Sequence, residues 1–297
     1  IKDAKGFVTK YSYNDRSDLV KEVTPEGKTE KYEYQLDGSL KSKTKPDGEK
    51  TTYKYDELNN LVEQQFDGGS YKYTYDSNDD VKTATSKDGT SEFTYNKFGD
   101  VLSVKDANGE TLKYEYDTIG RKTALIYPDN TRVSYRYNDA NLLTDVIESD
   151  GKKTSYTYDA NGLPLSIHYS NGTTTSYKYT ATGETEQVIT KNKAGEAIAS
   201  FDYSYDENGN VAKETINQSG EKQTKSHTYD ADDQLTETTI TKDETTEKIT
   251  YIYDANGNRS KLLRNKNGKK TTEDYHYDDD NALAMIKADG DKDTTYT

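Results

Sequence analysis

The stretch YIYDANGNRS, residues 251–260, decides the fold of this chain because its pattern recurs along the whole sequence. Two tyrosines separated by one residue are followed by an acid and then by a small-residue turn. Recurrence at a fixed period is typical of repeat architectures, in which each copy is one supersecondary unit. The second tyrosine of the pattern recurs at thirteen positions: Tyr13, Tyr34, Tyr55, Tyr75, Tyr95, Tyr116, Tyr137, Tyr158, Tyr179, Tyr205, Tyr229, Tyr253 and Tyr277.

The residues after each of these tyrosines predict a tight turn. Asp or Asn follows directly in eleven of the thirteen copies, and the fourth residue is Gly, Asn or Asp in every copy except at Ser17. Gly, Asn and Asp tolerate a positive φ, and the side chain of the preceding Asp or Asn can bond the turn backbone. The sixth residue is apolar again in nine copies. We refer to the turns just after the repeat tyrosines as first turns.

A second turn follows about ten residues later, for example PEG at 25–27, PDG at 46–48 and SNG at 170–172. Proline before an acid and a glycine is a turn signal with a known mechanism. Each copy therefore predicts two short strands and two turns, which is a β-hairpin, and nothing repeats with the period of a helix. The predicted fold class is all-β, with repeated antiparallel hairpins forming one long twisted sheet that coils into a spiral or open β-shell.

The tyrosine pairs predict which residues share a face of the sheet. In YSY, YEY, YKY, YTY, YRY and YIY both rings point to one side and the middle residue to the other, and the middle residue is polar except at Ile252. Composition alone favours disorder, since 30% of the residues are hydrophobic and 32% are charged. The periodicity overrules that signal, and ladders of tyrosines are expected to replace an aliphatic core.

The domain prediction is a single array of about thirteen hairpins over residues 1–297, cut at both ends from a longer array. The distance between repeat tyrosines grows from 20 or 21 residues to 24 or 26 after Tyr179, so longer strands are expected from about residue 180.

Charge and composition exclude several classes of function. The net charge of -14 disfavours nucleic acid and anionic membrane surfaces as partners, and no apolar run has the length of a transmembrane segment. Because the chain has no cysteine, it has neither disulfides nor a thiolate zinc site. This fits either a cytosolic protein or an exported Gram-positive one.

The search for chemistry predicts no catalytic residue and no cofactor. The histidines, His168, His227 and His276, have no carboxylate or second histidine at ligand spacing. The turns DENGN (206–210) and DANGN (254–258) begin like calcium loops but lack the later glycine and glutamate of such loops. They are interpreted as structural turns, with weak divalent-cation binding as the alternative at Asp206, Asn208, Asp254 and Asn256.

The repeat resembles that of the YD or RHS repeat family, through the columns YxYDxxGxL and DG. The columns are clearest in YTYDANG (156–162), YSYDENGNV (203–211) and YIYDANGNR (251–259). The resemblance covers about 290 residues and implies a strip of hairpins spiralling into a hollow β-shell. Such shells occur in insecticidal toxin complexes, bacterial polymorphic toxins and teneurins, and in the toxins they enclose a C-terminal toxin domain. The self-cleavage segment that usually ends bacterial shells has no match here.

The resulting hypothesis is a non-enzymatic scaffold, part of a toxin-enclosing or toxin-delivering shell or stalk of an exported bacterial protein. The expected partner is an enclosed or appended C-terminal toxin domain, without nucleic acid and without membrane insertion. The expected location is secreted or wall-associated, and the residue usage favours a Gram-positive bacterium. The alternative is a surface adhesin that binds a glycan or receptor through its tyrosine-rich or turn surfaces, because tyrosine faces also stack on sugars.

Overall fold

The computed structural model describes residues 1–3, 5–289 and 294–296, and among these residues it contains 27 β-strands and no helix. The predicted array of residues 1–297 therefore includes a few positions, Ala4, 290–293 and Thr297, that lie outside the described residues. All strands belong to one sheet. Every strand pairing for which a register is defined is antiparallel and joins strands that are consecutive in sequence, as in β3–β4 (Thr29–Tyr34 and Leu40–Thr44).

The strands of the first half are short and alternate with tight turns: β1 Lys10–Tyr13, β2 Leu19–Val23, β3 Thr29–Tyr34, β4 Leu40–Thr44, β5 Lys50–Tyr55, β6 Leu61–Phe66, β7 Gly69–Tyr75, β8 Val81–Ser86, β9 Gly89–Tyr95, β10 Val101–Lys105, β11 Thr111–Tyr116, β12 Lys122–Ile126, β13 Arg132–Tyr137, β14 Leu143–Ile147 and β15 Lys153–Tyr158. The strands that follow are β16 Pro164–His168, β17 Thr174–Tyr179, β18 Thr185–Lys191, β19 Ala197–Tyr205, β20 Val211–Gln218, β21 Glu221–Tyr229, β22 Leu235–Lys242, β23 Thr245–Tyr253, β24 Arg259–Lys266, β25 Lys269–Tyr277, β26 Leu283–Ala288 and β27 Thr294–Thr295.

The strands from β19 to β25 have eight or nine residues, whereas β10 to β17 have five or six. The chain divides into two compact units, which are described separately. The first unit contains Ile1–Ser12, Lys21–Thr29 and Tyr158–Thr297, and the second contains Tyr13–Val20 and Glu30–Thr157.

Each repeat tyrosine ends a strand at a turn that contains one left-handed residue. After Tyr34, the Gln35 amide donates to the Ser39 carbonyl at 2.9 Å and the Gly38 amide donates to the Gln35 carbonyl at 3.2 Å. The strand register then shifts by one residue between Glu33 and Tyr34. This is a type I turn closed by a bulge, in which the residue at Gly38 has a positive φ of 92°.

The positive φ recurs in all thirteen first turns, including those without glycine. Where the turn begins with Asp or Asn, the side chain fixes it. The Asp56 Oδ1 accepts hydrogen bonds from the amides of Leu58 at 3.0 Å and Asn60 at 2.8 Å. The non-glycine residues in the left-handed position are Ser17, Asn59, Asp79, Asn141, Asp233 and Asn281.

The two faces of the sheet differ as the alternation predicts, but the core is thin. In β3, Tyr32 and Tyr34 are half-buried and Glu33 between them is exposed. Because the described strands contact mainly their neighbours within the sheet, few large side chains are fully covered. The buried apolar residues among the described ones are Ala124, Ile249, Leu262 and Tyr275.

Replacement of Gly38 by Ala should lower the free energy of unfolding by about 1 kcal/mol, because an L-residue is strained in the left-handed region. No other atom lies within 4 Å of the site where the new Cβ would stand, so the cost is that of the backbone alone. The matched control is Asn59→Gly, which removes such strain and should leave stability unchanged or slightly raised. Urea unfolding of both variants measures the difference, and equal effects in the same direction would contradict the turn geometry.

Candidate functional site: the tyrosine face and the turn rows

The hydroxyl groups of most repeat tyrosines bind the backbone of the preceding hairpin. Tyr116 Oη donates to the Val101 carbonyl at 2.9 Å, and Tyr253 Oη donates to the Leu235 carbonyl at 2.8 Å. In every case the accepting residue is the sixth after the previous repeat tyrosine. The same bond is formed by Tyr34, Tyr55, Tyr75, Tyr95, Tyr137, Tyr179, Tyr205, Tyr229 and Tyr277.

This geometry differs from the stacked rings that the sequence suggested. Equivalent tyrosines lie two strands apart, about 10 Å, which is beyond the 4.5–7 Å at which aromatic rings interact. Each of these hydroxyl groups instead bonds to the neighbouring strand, which lies between the two tyrosines, as Tyr116 on β11 bonds to Val101 on β10. The tyrosine ladder is therefore a chain of hydroxyl–carbonyl hydrogen bonds, each of which ties one hairpin to the one before it.

Two repeats have a cation where the sequence pattern expects an apolar residue, and both cations lie over tyrosine rings. Lys122 Nζ is 5.2 Å from the Tyr135 ring centre and 5.8 Å from that of Tyr114. The Arg259 guanidinium is 4.2 Å from the Tyr275 ring centre. Cation–π contacts thus replace aliphatic packing at these positions. The sequence analysis did not predict these contacts. The available signal was a cation in a column that is apolar in most repeats, between two tyrosine pairs.

The polar face is held by ion pairs that span a strand. Arg132 on β13 forms two hydrogen bonds to the carboxylate of Glu115 on β11, at 2.6 and 2.7 Å. Ala124 on the intervening strand β12 pairs with both Glu115 and Ser134 and is fully buried. Lys50 and Glu33 form a similar pair at 3.2 Å across β4, where Ser42 is buried. The polar face is therefore covered by charged side chains at its strand centres.

Neighbouring first turns are joined by polar side chains. Asn60 Nδ2 donates to Asp79 Oδ1 at 3.1 Å, and Arg121 Nη1 donates to Asn141 Oδ1 at 2.9 Å. Asn210 Nδ2 donates to Asp233 Oδ1 at 2.8 Å in the same manner. In each case the acceptor is a non-glycine residue in the left-handed position. In these turns the Asn or Asp strains its own backbone, but its side chain accepts a hydrogen bond from the previous turn.

Of the four candidate cation ligands, the two aspartates cap their turns, and the side chains of Asn208 and Asn256 donate to acceptors outside their own turns. Asp206 Oδ1 accepts from the amides of Asn208 and Asn210 at 3.0 and 2.8 Å, and Asp254 Oδ1 accepts from those of Asn256 and Asn258. Within the described residues, none of these side chains belongs to a group of three acidic or histidine side chains close enough to hold one ion. The contacts favour the interpretation as structural turns, and cation binding at these residues stays a prediction.

The three histidines lie apart from one another on different strands. His227 is half-buried, with Nδ1 3.0 Å from Thr238 Oγ1, and desolvation lowers its pKa. His168 contacts Ser166 and Thr174 through its two ring nitrogens. His276 is exposed opposite Met285. Each has the environment of a strand residue.

In the first unit, the N-terminal segments pack against the first turns of the last three repeats. Lys5 Nζ is 3.1 Å from Asp230 Oδ2 and 3.6 Å from Asp232 Oδ2. Lys28 Nζ donates to the Asp278 carbonyl and to Asn281 Oδ1. The contact leaves an open cavity of about 430 Å³, which is lined mainly by polar side chains and backbone from both parts, including Asp3, Lys5, Thr24, Asp232, Asp254 and Asn256.

The described residues include no helix with the length and hydropathy that a membrane crossing requires.

The repeats of this chain match a known family of repeats. The RHS Repeat family model matches residues 34–69, 95–132 and 137–174. These three segments are RHS repeats. The matched segments contain the tyrosine, turn and apolar columns that carried the resemblance in the sequence. No curated protein matches this RHS chain in sequence.

Solved structures share the fold of this RHS array at low sequence identity. The crystal structure of TcdB2-TccC3 without its hypervariable C-terminal region aligns with a TM-score of 0.72 and 14% identity, over 96% of this chain and 19% of that one. The crystal structure of TcdB2-TccC3-TEV gives 0.71 and 15%, over 93% and 18%. The Photorhabdus luminescens Tc holotoxin pore gives 0.69 and 16%, also over 93% and 18%. The array thus spans about a fifth of their length, and its predicted fold class is confirmed.

Removing the hydroxyl of Tyr116 with Tyr116→Phe should lower the free energy of unfolding by about 1 kcal/mol, because the Val101 carbonyl loses its donor. Tyr116→Ala should cost about 3 kcal/mol, since the ring is lost as well. The control Tyr13→Phe should be neutral, because the exposed Tyr13 has no such bond. Denaturant unfolding measures all three variants.

The polar face offers a second control for the same experiment. Ser204, between Tyr203 and Tyr205, is exposed, and Ser204→Ala should change stability by less than about 0.5 kcal/mol. Loss of Glu115 should cost up to about 1 kcal/mol because of its exposed bidentate pair with Arg132. A loss at Ser204 as large as that of Tyr116→Ala would contradict the assignment of faces.

The array should lose stability in alkali. Desolvation raises the pKa of several repeat tyrosines, for example Tyr116 and Tyr229, and burial beside Glu273 raises the pKa of Tyr275 to about 12. Since the folded-state pKa values lie above the unfolded ones, the stabilisation is complete below pH 10 and is lost as the pH rises through the folded values. Absorbance at tyrosinate wavelengths and circular dichroism, followed together, should show late ionisation that coincides with unfolding. Ionisation of all tyrosines near pH 10 in the folded state would contradict this.

Proposed function

We propose that this RHS array is a non-enzymatic structural segment of a shell or stalk that encloses or delivers a toxin. The observation that carries the proposal is the fold match over 93–96% of the chain to TcdB2-TccC3 structures. Because the array spans 18–19% of those chains, it would supply one section of such a shell. Its partner would be a C-terminal toxin domain, enclosed in or appended to the parent protein.

The geometry supports a mechanical role. Hairpins are tied to their neighbours by strand pairing, by tyrosine hydroxyls on one face and by strand-spanning ion pairs on the other. Each link joins only near neighbours, which is the arrangement of a repeat protein that can be extended without a central core. The carboxylates that such a sheet carries serve as turn caps and ion-pair partners, so a role in catalysis is not needed to account for them.

The proposed location is outside the cell, secreted or attached to the wall, and a Gram-positive origin is part of the proposal. The Tc holotoxin pore among the similar structures supports export. The absence of cysteine is compatible with it, since the stability of the sheet rests on hydrogen bonds and ion pairs and needs no disulfide.

A surface adhesin is the second candidate, because the tyrosines of one face are only half-buried and aromatic faces stack on sugar rings. Under this hypothesis, the residues that hold the sheet together would also bind a glycan or receptor. The two functions differ in what the isolated array binds, and a glycan array followed by calorimetry distinguishes them. The scaffold predicts no saturable sugar, whereas a sugar bound below millimolar concentration would favour the adhesin.

The scaffold proposal is tested on the parent protein by limited proteolysis of its toxin domain. The domain should resist cleavage while the array is folded, and Tyr116→Ala together with Tyr179→Ala should shorten its lifetime because two hairpin links are broken. The control pair, Tyr13→Phe with Ser204→Ala, should leave protection unchanged. If the toxin domain is digested equally fast with the intact array and without it, the array does not enclose it.

A further inference from the structure

Exposed apolar side chains lie in a row on the second unit. They occupy the central positions of successive first turns, at the edge of the sheet: Leu36 is 100% exposed, Leu58 71%, Phe98 73% and Ile119 65%. Among the described residues after Tyr13, these four are the large apolar side chains that are more than half exposed. We call the turns 35–39, 56–60, 76–80, 96–100 and 117–121 the apolar turn row.

The concentration of these residues at one structural position argues against chance exposure. Single exposed apolar residues are normal on a soluble protein, and contiguous groups mark interaction sites. Four of five consecutive turns carry one, while the third of the five, 76–80, has Ser77 and Asn78 at its centre. No turn needs a large apolar residue at these positions, since the cap and the left-handed residue define the turn.

The first turns of the first unit provide an internal contrast. At the third residue of the turn, where the second unit has Leu58, Phe98 and Ile119, the first unit has polar side chains: Asn161, Thr182, Asn208, Asp232, Asn256 and Asp280. Asp232 and Asn256 line the contact with the N-terminal segments, and Asn256 Nδ2 donates to Glu26 Oε2 at 3.1 Å. Polar turn residues therefore serve where this edge meets other parts of its own chain. The apolar turn row differs in chemistry from these polar turns and suits a partner of a different kind.

The charge of the apolar turn row identifies the chemistry of its partner. Its five turns contain eight carboxylates against two basic side chains, Lys97 and Arg121. Arg121 is paired with Asp117 at 2.6 Å, and Lys97 Nζ lies 4.8 Å from the Phe98 ring centre. An acidic surface repels anionic lipid and attracts a cationic partner. A partner with both apolar and basic side chains matches this surface.

We propose that the apolar turn row binds a basic amphipathic polypeptide segment through Leu36, Leu58, Phe98 and Ile119. Adjacent turns are two strands apart, about 10 Å, which is close to the rise of seven residues in an α-helix. A helix with leucines at heptad spacing can therefore place one apolar side chain against the centre of each turn, while lysines on its flanks meet the turn carboxylates. The surface is independent of whether the array encloses a toxin.

The experiment uses the whole 297-residue chain and a labelled amphipathic peptide of about 29 residues, long enough to span the five turns, made of leucine and lysine with the leucines at heptad positions. Fluorescence anisotropy should show saturable binding that weakens as salt is raised. The variant L36S/L58S/F98S/I119S should bind at least about tenfold more weakly, because the apolar contacts are lost. Equal affinity of parent and variant, or no binding by the parent, would overturn the proposal.

Two controls separate the surface from a folding effect. The variant L36M/L58M/F98M/I119M keeps the tips apolar and should bind like the parent. Because the four side chains face solvent, the serine variant should have the thermal midpoint of the parent, and a lowered midpoint would show that the residues serve the fold instead. A peptide with glutamate in place of lysine should not bind, and binding as tight as that of the basic peptide would refute the charge argument.

The same set of proteins also tests two other possible occupants of the apolar turn row, a second copy of this chain and a lipid surface. Sedimentation should show the parent and the serine variant in the same monomeric state. Self-association that the serine substitutions abolish would assign the row to a second copy of this chain and overturn the proposal. Flotation with phosphatidylcholine vesicles that depends on the four apolar residues would assign it to a lipid surface, with the same consequence.

Discussion

The hydrogen bond from a tyrosine hydroxyl to a carbonyl in the preceding hairpin is the interaction on which the rest of this structure depends. A single sheet with few large buried side chains cannot be stabilised by an aliphatic core, and only four apolar residues among those described are fully covered. Tyrosine provides both a ring that shields the intervening strand and a donor that fixes its distance. The regular recurrence of this bond makes the repeats uniform along the chain.

The turns set the spacing that this bond requires. A left-handed residue four positions after each tyrosine closes a bulged hairpin, and this bulge brings the sixth residue directly opposite the tyrosine, as Leu40 lies opposite Tyr34. The carbonyl of that sixth residue then receives the next tyrosine hydroxyl. Local backbone geometry and longer-range linkage are thus determined by the same few columns of sequence.

The matches to RHS repeats agree with this use of a few sequence columns for both turn and linkage. A unit that is stabilised mainly by its neighbours can be added many times, and the solved structures with this fold are about five times longer than this chain. The two edges of the sheet are free to vary because the strand centres carry the stability. In this chain the first turns of the first unit carry polar side chains, and four first turns of the second unit carry exposed apolar ones.

The sequence by itself determined the hairpin repeat, the turn positions and the face that each side chain takes, because all of these follow from local periodicity. It predicted the thirteen tyrosines as structural residues but not the role of their hydroxyls. Only the tertiary structure decided that Tyr116 binds Val101, that Arg132 pairs with Glu115 across β12 and that Lys5 meets Asp230, since these partners lie 15, 17 and 225 residues apart. Contacts between different repeats depend on how strands are placed side by side, and a pattern within one repeat carries no information about that placement.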